Sequence, residues 1–519
     1  MAQADPSIVA NLQEAILKIC NYPRGCRRIS DFFGKFTITP ELKEGNEVIR
    51  ILGDLIDQHV LSSAKKYFDD EGPFQLDDIL ISGSVSEGTV KINLMTQICS
   101  DTDFFLVLKN IKVTEKDQKE GCLTMREHTP FVNLYLNEAD LIQRWIDFVE
   151  ISEQTLPEEK KRTKLSSMKL KERFREKYVG YGPIFTPLSE DNVEVVDEGP
   201  SVAVSTRVPG VKEPRWAPSV HLPVEEFDFV IAIACEGWPL CAQEWVTRPR
   251  CWPGKNVVQE IIQGGFHIVC KSSAEGDFRL SYSNAETLLI QSLSDLQHKV
   301  YRALKSFVNR YKNEWSPNVK KIMCSYHVKT IMLWYCEKCD TSDWSESTIV
   351  EHLLSLIDQL IKALRERSLP MYFMPKHNLM ERIEDGTAVA EEVSKARFNL
   401  NLVTDAILSE EPDFGEWCKF LLKILPPELY KPFQNGIENG NFQSNDFYEW
   451  FQKMFDGVDE YWMNTVGRIP TRNNEEGEKA MKILQQPIAL FVDKMCENFN
   501  NFGMNEQLEF LEGNWNENQ

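Results

Sequence analysis

The sequence predicts an α+β protein in which a mixed-sheet lobe is followed by a helical lobe, with the cleft between them as the ligand site. Two observations predict it. Short apolar runs at 79–81, 104–108, 131–136, 199–204, 221–232, 266–270 and 278–283, punctuated by Gly, Ser, Asn and Pro, read as strands. After Asn284 the apolar residues recur at three-to-four-residue spacing, over 285–311, 326–336 and 349–367, which is the helical period. With 519 residues the chain is long enough for two or three lobes with sizeable cores. The change of period sets the boundaries: a sheet lobe over 1–284 that includes a long N-terminal helix, a helical lobe over 285–384 that completes the cleft, and a helical extension over 385–519 with an acidic, loose tail.

In chain order, Ser7 to Cys20 is an amphipathic helix stopped by Asn21-Tyr22-Pro23-Arg24-Gly25. From 40 to 67, Val48, Ile51, Leu52, Leu55, Ile56, Val60 and Leu61 recur at helical spacing, which predicts a long helix packed under the sheet. Ile79-Leu80-Ile81 is a buried strand that Gly83-Ser84 breaks, with Ser84 able to cap a following helical turn. Asp101, Thr102 and Asp103 open the run 104–108. Residues two apart on a strand share a face, so Asp101 and Asp103 project side by side near the Gly-Ser turn. Two carboxylates held together repel unless a cation joins them. Divalent metal ions carrying a nucleoside triphosphate meet that need, with backbone N–H groups of the turn for the phosphates. The plain alternative is a surface Asp-x-Asp next to an ordinary turn. A third carboxylate, Asp228, sits inside the run 221–232, 125 residues beyond Asp103, and the strand at 199–204 should lie beside it. Trp238-Pro239 and Trp252-Pro253 read as packing corners.

Composition narrows the class. No apolar run approaches 18 residues, so no membrane span is expected. The N-terminal residues lack the basic and apolar regions of a signal peptide, and thirteen scattered cysteines suit a reducing compartment, so the expected location is cytoplasmic. A net charge of −21 excludes a protein that coats nucleic acid with its whole surface. Residues 160–177 stand out, with nine basic and two acidic residues. They read either as a solvated helix face or as a phosphate-backbone contact through Lys160, Lys161, Arg162, Lys164, Lys169, Lys171, Arg173 and Arg175.

Gly83-Ser84, a spacer, Asp-x-Asp on a strand and a later strand carboxylate resemble the fingerprint of DNA polymerase β-like nucleotidyltransferases. Phe278-Arg279-Leu280-Ser281-Tyr282-Ser283, the segment SYHVKTIMLWYCEKC at 325–339 and LPMYFMPKHNLME at 369–381 narrow the resemblance to cyclic GMP-AMP synthase and its male-abnormal relatives. The match runs in order from about residue 40 to 381. It implies a bilobal nucleotidyltransferase, with a polymerase β-like mixed-sheet lobe and a helical-bundle lobe, that uses ATP and GTP to make a cyclic dinucleotide. Such a second messenger acts on a downstream cyclic-dinucleotide receptor in innate immunity. By position, Asp101, Asp103 and Asp228 match the metal triad for Mg²⁺ or Mn²⁺, and Gly83 and Ser84 match the phosphate turn. Arg279, Ser281 and Ser283 match residues lining the nucleotide cleft. Lys305 matches a triphosphate-contacting lysine and Tyr326 a base-stacking tyrosine, the bland alternatives being a solvated lysine and a core aromatic.

The chain departs from the pattern twice. The interval 284–304 has no Cys and a single His, so the zinc insertion of the vertebrate DNA sensor is missing, and no zinc is expected at Cys324, His327, Cys336 and Cys339 either. The chain therefore resembles the cyclic GMP-AMP synthase-like receptors, whose ligands include double-stranded RNA, and RNA is expected over DNA. Residues 385–519 match nothing in the family. A catalytically silent scaffold of the same family is the second expectation.

Overall fold

The computed structural model describes residues 5–19, 24–25, 27–28, 72–89, 92–93, 98–99, 102–125, 128–151, 163–181, 193–198, 200–207, 224–273 and 276–410. The expected helix over 40–67, Asp101, Lys160, Lys161, Arg162 and the chain beyond 410 lie outside the described residues.

An eleven-stranded mixed sheet carries the first lobe. Its strands are β1 (Leu76–Ser82), β2 (Thr102–Val113), β3 (Leu123–Met125), β4 (Phe131–Leu136), β5 (Val149–Ile151), β6 (Thr163–Leu165), β7 (Val193–Glu198), β8 (Ser201–Arg207), β9 (Val224–Cys235), β10 (Phe266–Ser273) and β11 (Gly276–Ser281). The order is β1-β2-β9-β10-β11-β4-β6-β5, with β8 added to β9, β7 to β8 and β3 to β4. Only β2 and β9 pair in parallel among the ladders of this sheet that the described residues form. The strand expected at 79–81 extends to seven residues because its polar flanks also pair with β2, across an irregularity at Asp77. The strand at 199–204 does lie beside Asp228, with Ala203 as its register partner.

Alternation decides which face does what. Phe104, Leu106 and Leu108 of β2 and Phe229, Ile231 and Ile233 of β9 share one face and enter the main core. Phe229 stacks on Phe104 at 5.8 Å and meets Phe174 of α4 (Ser167–Tyr181) at 5.6 Å, contacts worth roughly 0.5–1.5 kcal/mol each beyond burial. The opposite face carries Asp103, Phe105, Asp228, Val230 and Ala232. Its small apolar cluster is Phe105, Val230, Ala232 and Val269, with Leu80 against it.

Ahead of and between the strands lie α1 (Pro6–Lys18), α2 (Gly83–Ser86), α3 (Glu115–Lys119), α4 and α5 (Lys255–Gln263). The helical lobe contains α6 (Ser283–Gln291), α7 (Asp295–Lys312), α8 (Ser325–Lys338), α9 (Ile349–Glu366), α10 (Gly386–Phe398) and α11 (Leu400–Glu410). The single helix expected over 285–311 is two, because Ser294 caps α7 in a reciprocal box with Gln297. Trp238 and Trp252 are buried, and Trp238 packs against Trp245, Tyr282 and Phe373, so the Trp-Pro corners are packing.

Two buried histidines couple this fold to pH. His298 is fully buried, and its Nε2 donates to the Glu87 carbonyl at 3.1 Å. Burial, and then the charge on Arg24, push its pKa down to about 3. Burial and the charge on Arg27 push His267 down to about 4. Both rings are held neutral in the fold, whereas the unfolded chain takes up their protons near pH 6.5. The stability they contribute is therefore present above that pH and lost as the pH falls through the folded values, on the order of 3–5 kcal/mol for each ring. We expect melting temperature to fall steadily from pH 6.5 towards 4, and ring NMR signals of both residues to show no titration above pH 5. A ring titrating near 6.5 in the folded protein would contradict this.

Candidate functional site

The site begins with a glycine that no other residue can replace. β1 ends at Ser82, and Gly83 turns the chain with φ +64° into the short helix α2. A Cβ on Gly83 would lie 1.8 Å from Asp103 Oδ2, so the carboxylate occupies the space that a side chain would take. Ser82 is the register partner of Asp103, and Asp228 is its partner on the other side, across the parallel β2–β9 ladder. Neighbouring strands are about 4.8 Å apart, so Asp103 and Asp228 stand side by side on one face with the Gly-Ser turn against the first of them. Both are half-buried. Hard oxygen donors in this arrangement fit a divalent cation of the Mg²⁺ or Mn²⁺ type.

Ser84 does not cap the helix as expected. The cap position falls to Ser82, which makes no side-chain capping bond. Ser84 instead accepts a hydrogen bond from Lys305 Nζ at 3.1 Å, and the same ammonium reaches Thr89 Oγ1 at 2.9 Å and the Thr89 carbonyl at 3.3 Å. The lysine from α7 is thus anchored on the turn, 221 positions away in sequence, and its side chain is buried. Thr89 carried no sequence signal of its own.

Arg279, Ser281 and Ser283 come from the end of β11 and the start of α6. Arg279 is half-buried and pairs in register with Val269, on the same sheet face as the carboxylates. Ser281 is buried and accepts the Ser283 N–H at 3.4 Å. Ser283 Oγ meets Ser82 Oγ at 2.5 Å, so this hydroxyl is tied to the base of the Gly83–Ser84 turn. Lys271, which sequence reasoning passed over, lies near Arg279. Burial, and then the Arg279 charge, lower its pKa, as expected for a part-buried cation beside another cation.

Tyr326 is half-buried on α8. Burial pushes its hydroxyl far above the ordinary range, with Glu286 adding to the effect and Lys329 opposing it. Lys329 Nζ sits 5.6 Å from the Tyr326 ring centroid. It is clamped at 2.5 Å by Glu87 Oε1 and at 2.7 Å by Glu286 Oε2, and all three side chains are buried. Burial alone would strip this ammonium, but Glu286 and Glu87 outweigh it and hold Lys329 charged. The clamp joins the end of α2, α6 and α8. Its sequence signal was the lysine three residues after Tyr326, which only the fold connects to Glu87.

At the tempting Cys/His set, His327 Nδ1 receives the Cys324 backbone N–H at 3.2 Å and Nε2 meets the Leu379 carbonyl at 3.2 Å. Both ring nitrogens are thereby used within the fold, and Cys336 is buried in the core. The side-chain cluster Asp117, Glu120 and Cys122 lies on and after α3, which follows the end of β2 opposite to Asp103.

The basic run is divided by the fold. Lys164 is in β6, paired with Glu150 at 2.9 Å and Asp277 at 3.0 Å. Lys171 is 8% exposed and reaches the Ser201 carbonyl, so it is not on the surface. Lys169 donates to the Val149 carbonyl at 2.9 Å, and Arg173 lies 3.6 Å from Glu176. Arg175 is half-buried with its Nε inside, while Met168, Glu172 and Glu176 are exposed among the described side chains of this helix. The described part of the basic run, 163–177, is therefore a strand, a connection and the start of a helix, and not one solvated helix face.

Residues 93–292 match the family model of the Mab-21 protein nucleotidyltransferase domain, and residues 296–395 match that of the Mab-21 protein HhH/H2TH-like domain. Together the matches cover more than half of the chain. The first contains Asp103, Asp228, Arg279, Ser281 and Ser283. The second contains Lys305, Tyr326 and Lys329.

Proposed function

The chain belongs to the Mab-21 superfamily, the cyclic GMP-AMP synthase-like nucleotidyltransferases, and from that membership we propose that it joins ATP and GTP into a cyclic dinucleotide used as a second messenger. The observation that carries this reading is the register of Asp103 with Asp228 across parallel strands, beside a glycine turn closed by Lys305. A silent scaffold has no need of carboxylates converging on one turn.

In this reading Asp103, Asp228 and, from the sequence, Asp101 hold Mg²⁺ or Mn²⁺, which when bound neutralises phosphate charge and lowers the pKa of an attacking hydroxyl. Lys305 and the N–H groups of the Gly83–Ser84 turn bind the triphosphate, and Lys271 and Arg279 offset its remaining charge. Tyr326 provides a stacking surface for a base, and Ser281 and Ser283 line the same cleft. Among the described residues no helix is long and apolar enough to cross a membrane. Double-stranded RNA is proposed as the activator on the family resemblance, held through phosphates and therefore sensitive to salt. In the described part of the basic run, Arg173 is proposed as its contact, since Lys164, Lys169 and Lys171 are tied to Asp277, the Val149 carbonyl and the Ser201 carbonyl.

The test is incubation of purified protein with labelled ATP, GTP, CTP and UTP plus Mn²⁺ or Mg²⁺, with and without double-stranded RNA. A cyclic product from ATP and GTP, increased by RNA at low salt and less so at high salt, is expected. A protein that binds nucleotide but yields no product under any of these conditions would favour the scaffold.

A further inference from the structure

The first 28 residues precede both family matches, yet the described ones cross the site. α1 buries Leu12, Ala15 and Ile16 and packs on α7, α9 and α11 of the helical lobe. The chain then reaches back to the sheet lobe. Arg24 donates to the Leu293 carbonyl at 2.7 Å and to Asp295 at 2.6 Å, at the start of the helix that carries Lys305. Gly25, at φ +71°, donates its N–H to the Ser86 carbonyl at 2.7 Å, on the outer side of the phosphate turn. The Arg27 carbonyl accepts from Ile81 N–H at 2.8 Å, and Arg28 pairs with Asp78 at 2.5 Å, so both lie along β1. The Arg27 side chain passes Phe105 at 5.8 Å and donates from Nη1 to Ser283 Oγ at 2.8 Å.

We propose that this N-terminal strap is a working part of the nucleotide site, with Arg27 as a positioning residue that fixes Ser283 and, through it, the Gly83–Ser84 turn. The inference rests on the nucleotidyltransferase reading of that site. A guanidinium can only donate, and it stays charged at any physiological pH. Ser283 Oγ must therefore accept from Arg27, which leaves its own proton free for Ser82 Oγ at 2.5 Å. Ser82 is the residue before Gly83 and the register partner of Asp103. The relay runs from the strap through two hydroxyls to the junction of phosphate turn and carboxylate, and Arg24 holds the other end of the strap on α7. A turn pinned on its outer side is pre-organised for phosphate, so losing the pin should weaken ground-state binding more than the chemical step.

The test uses the full chain and three variants. Arg27→Gln is expected to keep its melting temperature, to raise the nucleotide KM about tenfold, as for one lost hydrogen bond to a charged group, and to leave kcat within about threefold. Arg27→Lys should recover most of the affinity, since one ammonium can still donate to Ser283. A folded Arg27→Gln with the wild-type KM overturns the proposal. So does a variant in which kcat, KM and melting temperature all deteriorate with no rescue by lysine, which is the signature of a purely structural tie. If the wild-type protein turns over no nucleotide, the reading of the site fails on its own, and hydrogen exchange then judges the strap. Amides of residues 81–89 must lose protection in the Arg24→Ala, Arg27→Gln double variant, and unchanged protection overturns the strap.

Discussion

Gly83→Ala is expected to yield a folded protein with at least about 100-fold less metal-dependent nucleotide turnover, the scale of loss for misplacing a reacting group by roughly 1 Å. Two effects combine. An alanine at φ +64° costs about 1–2 kcal/mol of backbone strain. Its methyl group would also sit 1.8 Å from Asp103 Oδ2 and 3.0 Å from Cγ, so the carboxylate must leave its place beside Asp228. Gly121→Ala separates the two. Gly121 has φ +74° with nothing within 4 Å of its Cβ position, so that variant carries the strain without the collision and should keep its activity. Turnover and melting temperature of the two proteins decide the matter, and equal activity in both would mean that Asp103 is not held by the glycine.

Lys329→Met is expected to destabilise the protein by roughly 3–5 kcal/mol, because it leaves Glu87 and Glu286 buried without their shared cation. Removing all three charges, with Glu87→Gln, Glu286→Gln and Lys329→Met together, should recover much of that loss, since the buried charges go together with their desolvation cost. Denaturant melts compare the two. A single variant as stable as the wild type would show that the clamp carries no weight. Nucleotide binding should weaken even in the triple variant, because the clamp joins the end of the Gly83–Ser86 helix to the helix that carries Tyr326.

Much of this arrangement was legible in the sequence because it rests on local pattern. The strand 131–136 has the bounds that its apolar run predicts, and Asp103 and Asp228 each stand in an apolar strand-like run as expected, while their register pairing over 125 positions came only from the fold. What sequence could not give were contacts made across long separations. Lys305 reaches Ser84 over 221 positions, and Lys329 joins Glu87 and Glu286 from two other elements. Ser84 was misplaced as a cap because glycine at the first helical position moved the cap back to Ser82. The basic run misled for a related reason. A count of charges does not say which side of a helix is buried, and Lys171 lies on the buried side. Arg27 had no signal at all, since nothing local distinguishes it from Arg24 or Arg28.

The central claim is that Asp103 and Asp228 form one metal-dependent centre for nucleotidyl transfer. It is tested most directly by measuring product formed from labelled ATP and GTP with Mn²⁺ by the wild type, Asp103→Asn and Asp228→Asn, each verified as folded by circular dichroism. Removing one charged ligand should cost several kcal/mol of transition-state stabilisation, so product should fall to background in both variants while melting temperatures hold. Wild-type levels of product from a folded Asp103→Asn or Asp228→Asn protein would contradict the claim.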